Sequence, residues 1–115
     1  MQSGVEGSGG KVNATGDQQV GMDVVSNDIL VKILRGNGVV GYVGSEELDA
    51  PMETGKDGLS VVFDPLDGSS VVDVNLATGT IIGIYDEGGF LGKTGRDQIA
   101  SNFCLWTSIN HDSYL

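Results

Sequence analysis

The chain is predicted to fold as a mixed α/β (α+β) domain, and three observations carry that prediction. Apolar residues recur at helical spacing in one stretch, and apolar runs of strand length follow it. The acidic residues of the sequence motifs fall at the ends of those strands and around the start of the helix. In chain order, residues 1–15 are rich in Gly and Ser, and a mobile leading segment is expected there. Over residues 22–34, Val25, Ile29 and Ile33, with Leu30 and Leu34 beside them, form one face of a helix. Gly36, Asn37 and Gly38 end it. Residues 39–43 are a short strand that runs into Ser45, Glu46 and Glu47, and a loop is expected through Ala50, Pro51 and residues 55–58. The apolar run 59–63 has the length of a buried strand and delivers Asp64 at its end. Residues 78–85 form a further β-branched strand, and Gly88 and Gly89 a turn.

Composition narrows the function classes. At 115 residues the chain is one domain at most. Six basic residues against sixteen acidic ones give a formal charge of −10, which argues against nucleic acid or an anionic membrane as partner. The acids are not gathered in one block, so an acidic tail is not expected; several cluster in motifs, where carboxylates without basic partners invite cations. Cys104 is the single cysteine, which rules out an internal disulfide and is read as a small buried hydrophobe. No apolar run approaches membrane-spanning length, and residues 1–10 have neither a signal-peptide core nor the Arg-rich character of a transit peptide. The expected location is cytoplasmic, with a plastid as the alternative.

The most informative segment is Phe63-Asp64-Pro65-Leu66-Asp67-Gly68-Ser69-Ser70. Magnesium takes oxygen ligands, commonly one or two carboxylates together with substrate phosphate oxygens. Pro65 stiffens the step between the two acids, and Gly68 lets the chain bend so that the amides of Ser69 and Ser70 can face an anion. A metal site built against a phosphate site is one reading; a strand ending in an Asp-Gly turn with solvated acids is the other. Glu46 and Glu47 are adjacent, so an extended strand would point them to opposite faces, and both serve one site only if the backbone turns there. A solvated acidic loop is the alternative. Asp23 reads equally as a helix-capping carboxylate, and Asp28 as a solvated one. Asp73 and Asn75 read as local hydrogen-bond formers, and the Gly79 inside a strand as a point of close backbone approach.

Taken together, these motifs resemble the fructose-1,6-bisphosphatase and sedoheptulose-1,7-bisphosphatase family (class 1). Gly16-Asp17-Gln18, Met22-Asp23-Val24-Val25-Ser26-Asn27-Asp28, Ser45-Glu46-Glu47 and the octet at 63–70 are similar to that family's segments, in the same order. The resemblance covers residues 13 to 98 or so. Inositol monophosphatases share the D-P-L/I-D-G core, but Ser69 and Ser70 argue for the bisphosphatase branch. The resemblance implies a layered α-β-α-β-α sandwich, of which this chain holds the N-terminal portion. It implies magnesium, with manganese or zinc as alternatives, held by Glu46, Asp64, Asp67 and the carbonyl of Leu66, with Asp17 helping to hold a further ion. Asp23 and Glu47, with Asp17, would be the catalytic acids that orient and deprotonate the attacking water. Asp67, Gly68, Ser69 and Ser70 would cradle the leaving phosphate. The implied reaction is metal-dependent hydrolysis of the 1-phosphate of a sugar bisphosphate, fructose 1,6-bisphosphate before sedoheptulose 1,7-bisphosphate. A homo-oligomer is implied for the full-length family member.

Two departures from the family qualify those expectations. The family's remaining metal-binding Glu and most of its sugar-binding groups belong to a later part, so the 115 residues alone are expected to be inactive, a metal- or phosphate-binding remnant. After Gln98 the resemblance fades. One choice of synonymous codons for residues 105–114, read one base later, gives YGPASTMTL, the kind of sequence the family has there. The expected organisation is therefore a flexible segment at 1–15, a partial bisphosphatase domain at 16–101 and a divergent, frameshifted tail at 102–115. His111 falls in that tail. The absence of cysteines before Asp17 gives no support for thiol control of the plant sedoheptulose type.

Overall fold

The computed structural model describes residues 14–70 and 77–107, with side chains from residue 21 onward. One long helix, α1 (Ala14–Gly36), is followed by strands β1 (Val40–Ser45), β2 (Met52–Glu53), β3 (Leu59–Asp67), β4 (Thr78–Tyr85) and β5 (Gln98–Trp106). They form one sheet in the order β2-β1-β3-β4-β5. Strands β1 and β3 run parallel, and every other pair is antiparallel. The mixed fold class is as expected, and α1 begins eight residues earlier than its apolar pattern suggested. Residues 1–13 lie outside the described residues, but Ala14 and Thr15, assigned by composition to the mobile lead, open the helix.

The core lies between α1 and one face of the sheet. Val40, Val43, Val61 and Phe63 are buried there, and Leu30, Val31, Leu34, Ile82 and Ile84 pack against them. Register explains the choice: Val43 pairs with Val61 and Val61 with Ile84, while Phe63 pairs with Ile82, so these side chains stand in adjacent rows on one face. The helix face is rotated from the expected one. Leu30 and Leu34 do face the sheet, but Val25, Ile29 and Ile33 remain 51%, 54% and 58% exposed. Spacing alone finds an apolar stripe; it does not say which edge of a broad stripe meets the sheet.

Two strands extend or add to the expected set. β3 continues through Pro65 to Asp67, beyond the expected end at Phe63. Proline is tolerated there because β1 has ended at Ser45, opposite Phe63, and the pairing with β4 is irregular between Asp64 and Asp67. β2, inside the expected loop, contributes two residues at one sheet edge. β5 forms the other edge and is exposed along its whole length. Its pairing with β4 runs unbroken from Ala100 opposite Ile84 to Trp106 opposite Thr78, straight through the expected boundary at 101/102. Cys104 lies on it and is exposed, a correction to its reading as a buried hydrophobe, since α1 packs over β1 and β3 and leaves the faces of β5 uncovered. Asp73, Asn75 and His111 lie outside the described residues.

Candidate functional site

Parallel pairing of β1 and β3 brings their carboxyl ends side by side, and the acids follow at once. Ser45 stands opposite Phe63, and the Glu46 amide donates to the Phe63 carbonyl at 3.1 Å, so Glu46 and Asp64 emerge as neighbours. The chain turns immediately afterwards. The Leu48 amide donates to the Ser45 carbonyl at 3.1 Å, and the Glu47 amide donates to the Ser45 hydroxyl at 3.1 Å. This is the turn that two adjacent glutamates need in order to act on one site. On the β3 side, the Leu66 amide donates to Asp64 Oδ1 at 3.0 Å, which bends the chain back across the buried Pro65.

Asp23 approaches from α1. The helix starts at Ala14, so Asp23 lies well inside it and caps nothing. Its carboxylate accepts a hydrogen bond from the Ser69 side chain, while its Oδ1 is buried without a hydrogen-bond partner among the described residues. A buried oxygen left that way costs free energy unless a cation or water meets it.

Four carboxylates, Asp23, Glu46, Glu47 and Asp64, lie near enough to act on one another's charge. Burial pushes the Asp23 carboxyl above the usual carboxylate range; the Ser69 bond opposes this and the charge of Asp64 adds to it. Glu46 is raised first by a side-chain hydrogen bond to Asp64 and then by the charge of Asp64, with burial, Glu47 and Asp23 adding less. Two carboxyl groups can share such a bond only with one proton between them. Glu47 is raised by burial first, then by the charges of Asp23 and Asp64. No basic side chain is among the charges acting on these three groups.

The phosphate loop begins beside this cluster. Gly68 has φ +84°, a left-handed conformation that glycine adopts without strain, and Ser69 and Ser70 enter a 3₁₀ turn. Asp67 ends β3 opposite Gly79 and is exposed. It is not among the charges that raise the other carboxyls. Asp17 lies in α1, with its side chain outside the described residues.

Comparison with known proteins decides the family. The model of the fructose-1,6-bisphosphatase N-terminal domain matches residues 3–114. The chain belongs to the fructose-1,6-bisphosphatase family. It is 46% identical over 109 residues to the class 1 fructose-1,6-bisphosphatase of Geobacter sulfurreducens, covering 92% of this chain and 34% of that relative. It is 39% identical over 95 residues to the chloroplastic sedoheptulose-1,7-bisphosphatase of Chlamydomonas reinhardtii, covering 83% of this chain and 24% of that relative. Among solved structures it is similar to a putative sedoheptulose-1,7-bisphosphatase from Toxoplasma gondii, at TM-score 0.71 and 33% identity over 90% of this chain and 37% of the other. The holo fructose-1,6-bisphosphatase of Leishmania major matches at TM-score 0.68 and 29% identity over 84% of this chain and 35% of the other. The chain thus spans about a third of the length of the curated fructose-1,6-bisphosphatases it matches.

Among the family's expected site residues, the structure gathers Asp23, Glu46, Glu47, Asp64 and Ser69, and leaves Asp67 at the margin. Among the described residues, no three acid, His or Cys groups converge on one point that a cation could fill. The donor set fits a hard divalent cation: it is all oxygen and, among the described residues, it lacks a basic partner and leaves Asp23 Oδ1 unpartnered. Sequence reasoning gave no role to Asn27 or to the Ser45 hydroxyl, although both stand in the matched motifs. The usable signal was the four-residue spacing from Asp23 to Asn27, which puts both on one helix face.

Proposed function

We propose that this chain is the cation-binding part of a sugar bisphosphatase that hydrolyses the 1-phosphate of a sugar bisphosphate, fructose 1,6-bisphosphate first. The observation that carries the reading is the grouping of Asp23, Glu46, Glu47 and Asp64 within reach of one another's charge, with a buried Asp23 oxygen that nothing among the described residues satisfies. Magnesium, with manganese or zinc as alternatives, would be held by Glu46, Asp64, Asp67 and the Leu66 carbonyl, with Asp17 at a further ion. When bound, such an ion supplies neutralisation of phosphoryl oxygens and a lowered pKa for water. Asp23 and Glu47 orient the attacking water, and the raised carboxyls suit groups that take up its proton. Asp67, Gly68, Ser69 and Ser70 hold the phosphate, aligned for displacement, because phosphoryl transfer depends chiefly on positioning and charge.

The length of the relatives supports a second statement. The match covers 34% of the Geobacter sulfurreducens enzyme, so recognition of the sugar would draw on groups outside these 115 residues. We propose that the 115 residues alone bind the cation without turning over substrate. Location would be cytoplasmic, or plastid if the sedoheptulose reading holds, and the full-length protein a homo-oligomer.

The test has two parts. Calorimetric titration of the chain with Mg²⁺ should show binding that Asp64→Asn weakens about tenfold or more. A chimera carrying the remainder of the Geobacter sulfurreducens enzyme should release phosphate from fructose 1,6-bisphosphate. There Glu47→Gln should lower kcat about 100-fold while leaving Mg²⁺ affinity nearly intact. Unchanged affinity and rate in Asp64→Asn would sink the assignment. Faster release from sedoheptulose 1,7-bisphosphate would favour the alternative substrate.

A further inference from the structure

The helix places a buried amide where an apolar side chain would pack more cheaply. Asn27 is 6% exposed, at the interface between α1 and the sheet. Its Oδ1 accepts the Ser45 hydroxyl proton at 2.6 Å, and the Ser45 oxygen in turn accepts the Glu47 amide at 3.1 Å. A hydroxyl has one proton and two lone pairs. Giving the proton to Asn27 leaves a lone pair facing Glu47, so the two bonds fix each other's direction.

The consequence is geometric. Asp23 and Asn27 are four residues apart and share one face of α1. Glu46 and Glu47 sit on a turn whose Glu47 amide is held by that same hydroxyl. The path Asn27–Ser45–Glu47 therefore ties the helix that carries Asp23 to the turn that carries the two glutamates. Without it, the described bonds of the Glu46–Glu47 turn are Glu46 N–H to Phe63, Leu48 N–H to Ser45 and the Glu46–Asp64 side-chain bond. Those hold the turn to the sheet, whose distance from α1 is otherwise set by the apolar packing of Leu30, Val31 and Leu34 further along the helix.

We propose that Asn27 and Ser45 are positioning residues that set Glu47 and Glu46 against Asp23, and so set the affinity of the carboxylate cluster for a divalent cation. This rests on the reading of the cluster under Proposed function. The turn that Ser45 holds also carries the ligand Glu46, and outer partners that orient a metal's ligands are commonly worth about tenfold or more in metal affinity.

The test uses the 115-residue chain, with Mg²⁺ titrated calorimetrically and folding followed by circular dichroism and thermal melting. Ser45→Ala should weaken Mg²⁺ binding about tenfold, by more than any change in melting accounts for. Ser45→Thr, which keeps the hydroxyl, should restore binding to within about twofold, which a role in packing alone does not predict. Equal affinity in Ser45→Ala and the parent overturns the positioning role while the cluster reading stands. Loss in Ser45→Ala that Ser45→Thr does not recover places the effect in packing and overturns it as well. If the parent chain binds no Mg²⁺, the cluster reading fails and this inference falls with it. Should Ser45→Ala not fold, amide exchange in the parent decides: the Glu47 amide should be protected, and rapid exchange there removes the relay.

Discussion

Asp23 concentrates the conflict between stability and chemistry in this chain. Its carboxylate is partly buried, faces the charge of Asp64, and has one oxygen without a partner among the described residues. Removing the charge should help the metal-free fold and harm cation binding. Asp23→Asn is therefore expected to raise the metal-free melting temperature by about 4 °C and to abolish most of the rise that Mg²⁺ produces. Calorimetric melts with and without Mg²⁺ check both. A lower melting temperature in the variant would mean that the Ser69 bond outweighs the repulsion. The pH dependence has a definite sign. Asp23, Glu46 and Glu47 are all raised in the folded state, so the fold binds their protons more tightly than the unfolded chain does. Their contribution to stability is complete below the ordinary carboxylate range, about pH 4, and is lost as pH rises through the raised values. Urea unfolding at a series of pH values should show metal-free stability falling in that window, with Glu47→Gln shallower. Saturating Mg²⁺ should flatten the slope, because a bound cation makes the charged form the favoured one.

At the scale of elements, β3 carries the acids and the neighbouring strands hold its irregular end in place. The Thr80 hydroxyl donates to the Pro65 carbonyl at 2.9 Å and accepts the Trp106 indole N–H at 2.8 Å, clasping β3, β4 and β5 together. Thr80 is buried, so Thr80→Val should cost about 1–3 kcal/mol by leaving the Pro65 carbonyl and the indole unpaired. A denaturant midpoint equal to the parent's would show that water replaces the hydroxyl without loss. The close approach expected at Gly79 is present. An added Cβ would collide with the Phe103 ring and lie 3.2 Å from the Cys104 carbonyl. Strand 78–85 was legible from its β-branched run, and the end of β3 was not, because proline is a poor strand residue unless its neighbour strand has already stopped. β5 was obscured by its unfamiliar tail residues. Backbone hydrogen bonding to β4 accepts almost any side chain, so the strand persists through Asn102 and beyond.

For the molecule as a whole, the apolar surface is poorly covered. Val25, Ile29 and Ile33 project from α1, and Ile99, Phe103, Leu105 and Trp106 from β5, each more than half exposed. β5 is a nine-residue edge strand without a charged residue or proline, lacking the usual protections against edge-to-edge pairing. Sedimentation of the 115-residue chain should therefore show association at about 10 µM, reduced by Phe103→Lys and Leu105→Lys together. A clean monomer at about 100 µM in the parent would contradict this expectation. No helix among the described residues is long and apolar enough to cross a membrane.

The sequence by itself determined the fold class, the family and the candidate acids. The fold class follows from local pattern, since β-branched runs make strands, and the family and the candidate acids follow from the resemblance of the motifs in their order. Tertiary structure decided which acids meet. Parallel pairing of β1 with β3 makes neighbours of Glu46 and Asp64, eighteen positions apart. Packing of α1 brings Asp23 to them and turns Leu30, Val31 and Leu34, rather than Val25, Ile29 and Ile33, toward the sheet. Asn27 and Ser45 also took their part in the site only there, since two polar side chains become partners when burial removes the water that would otherwise satisfy each alone.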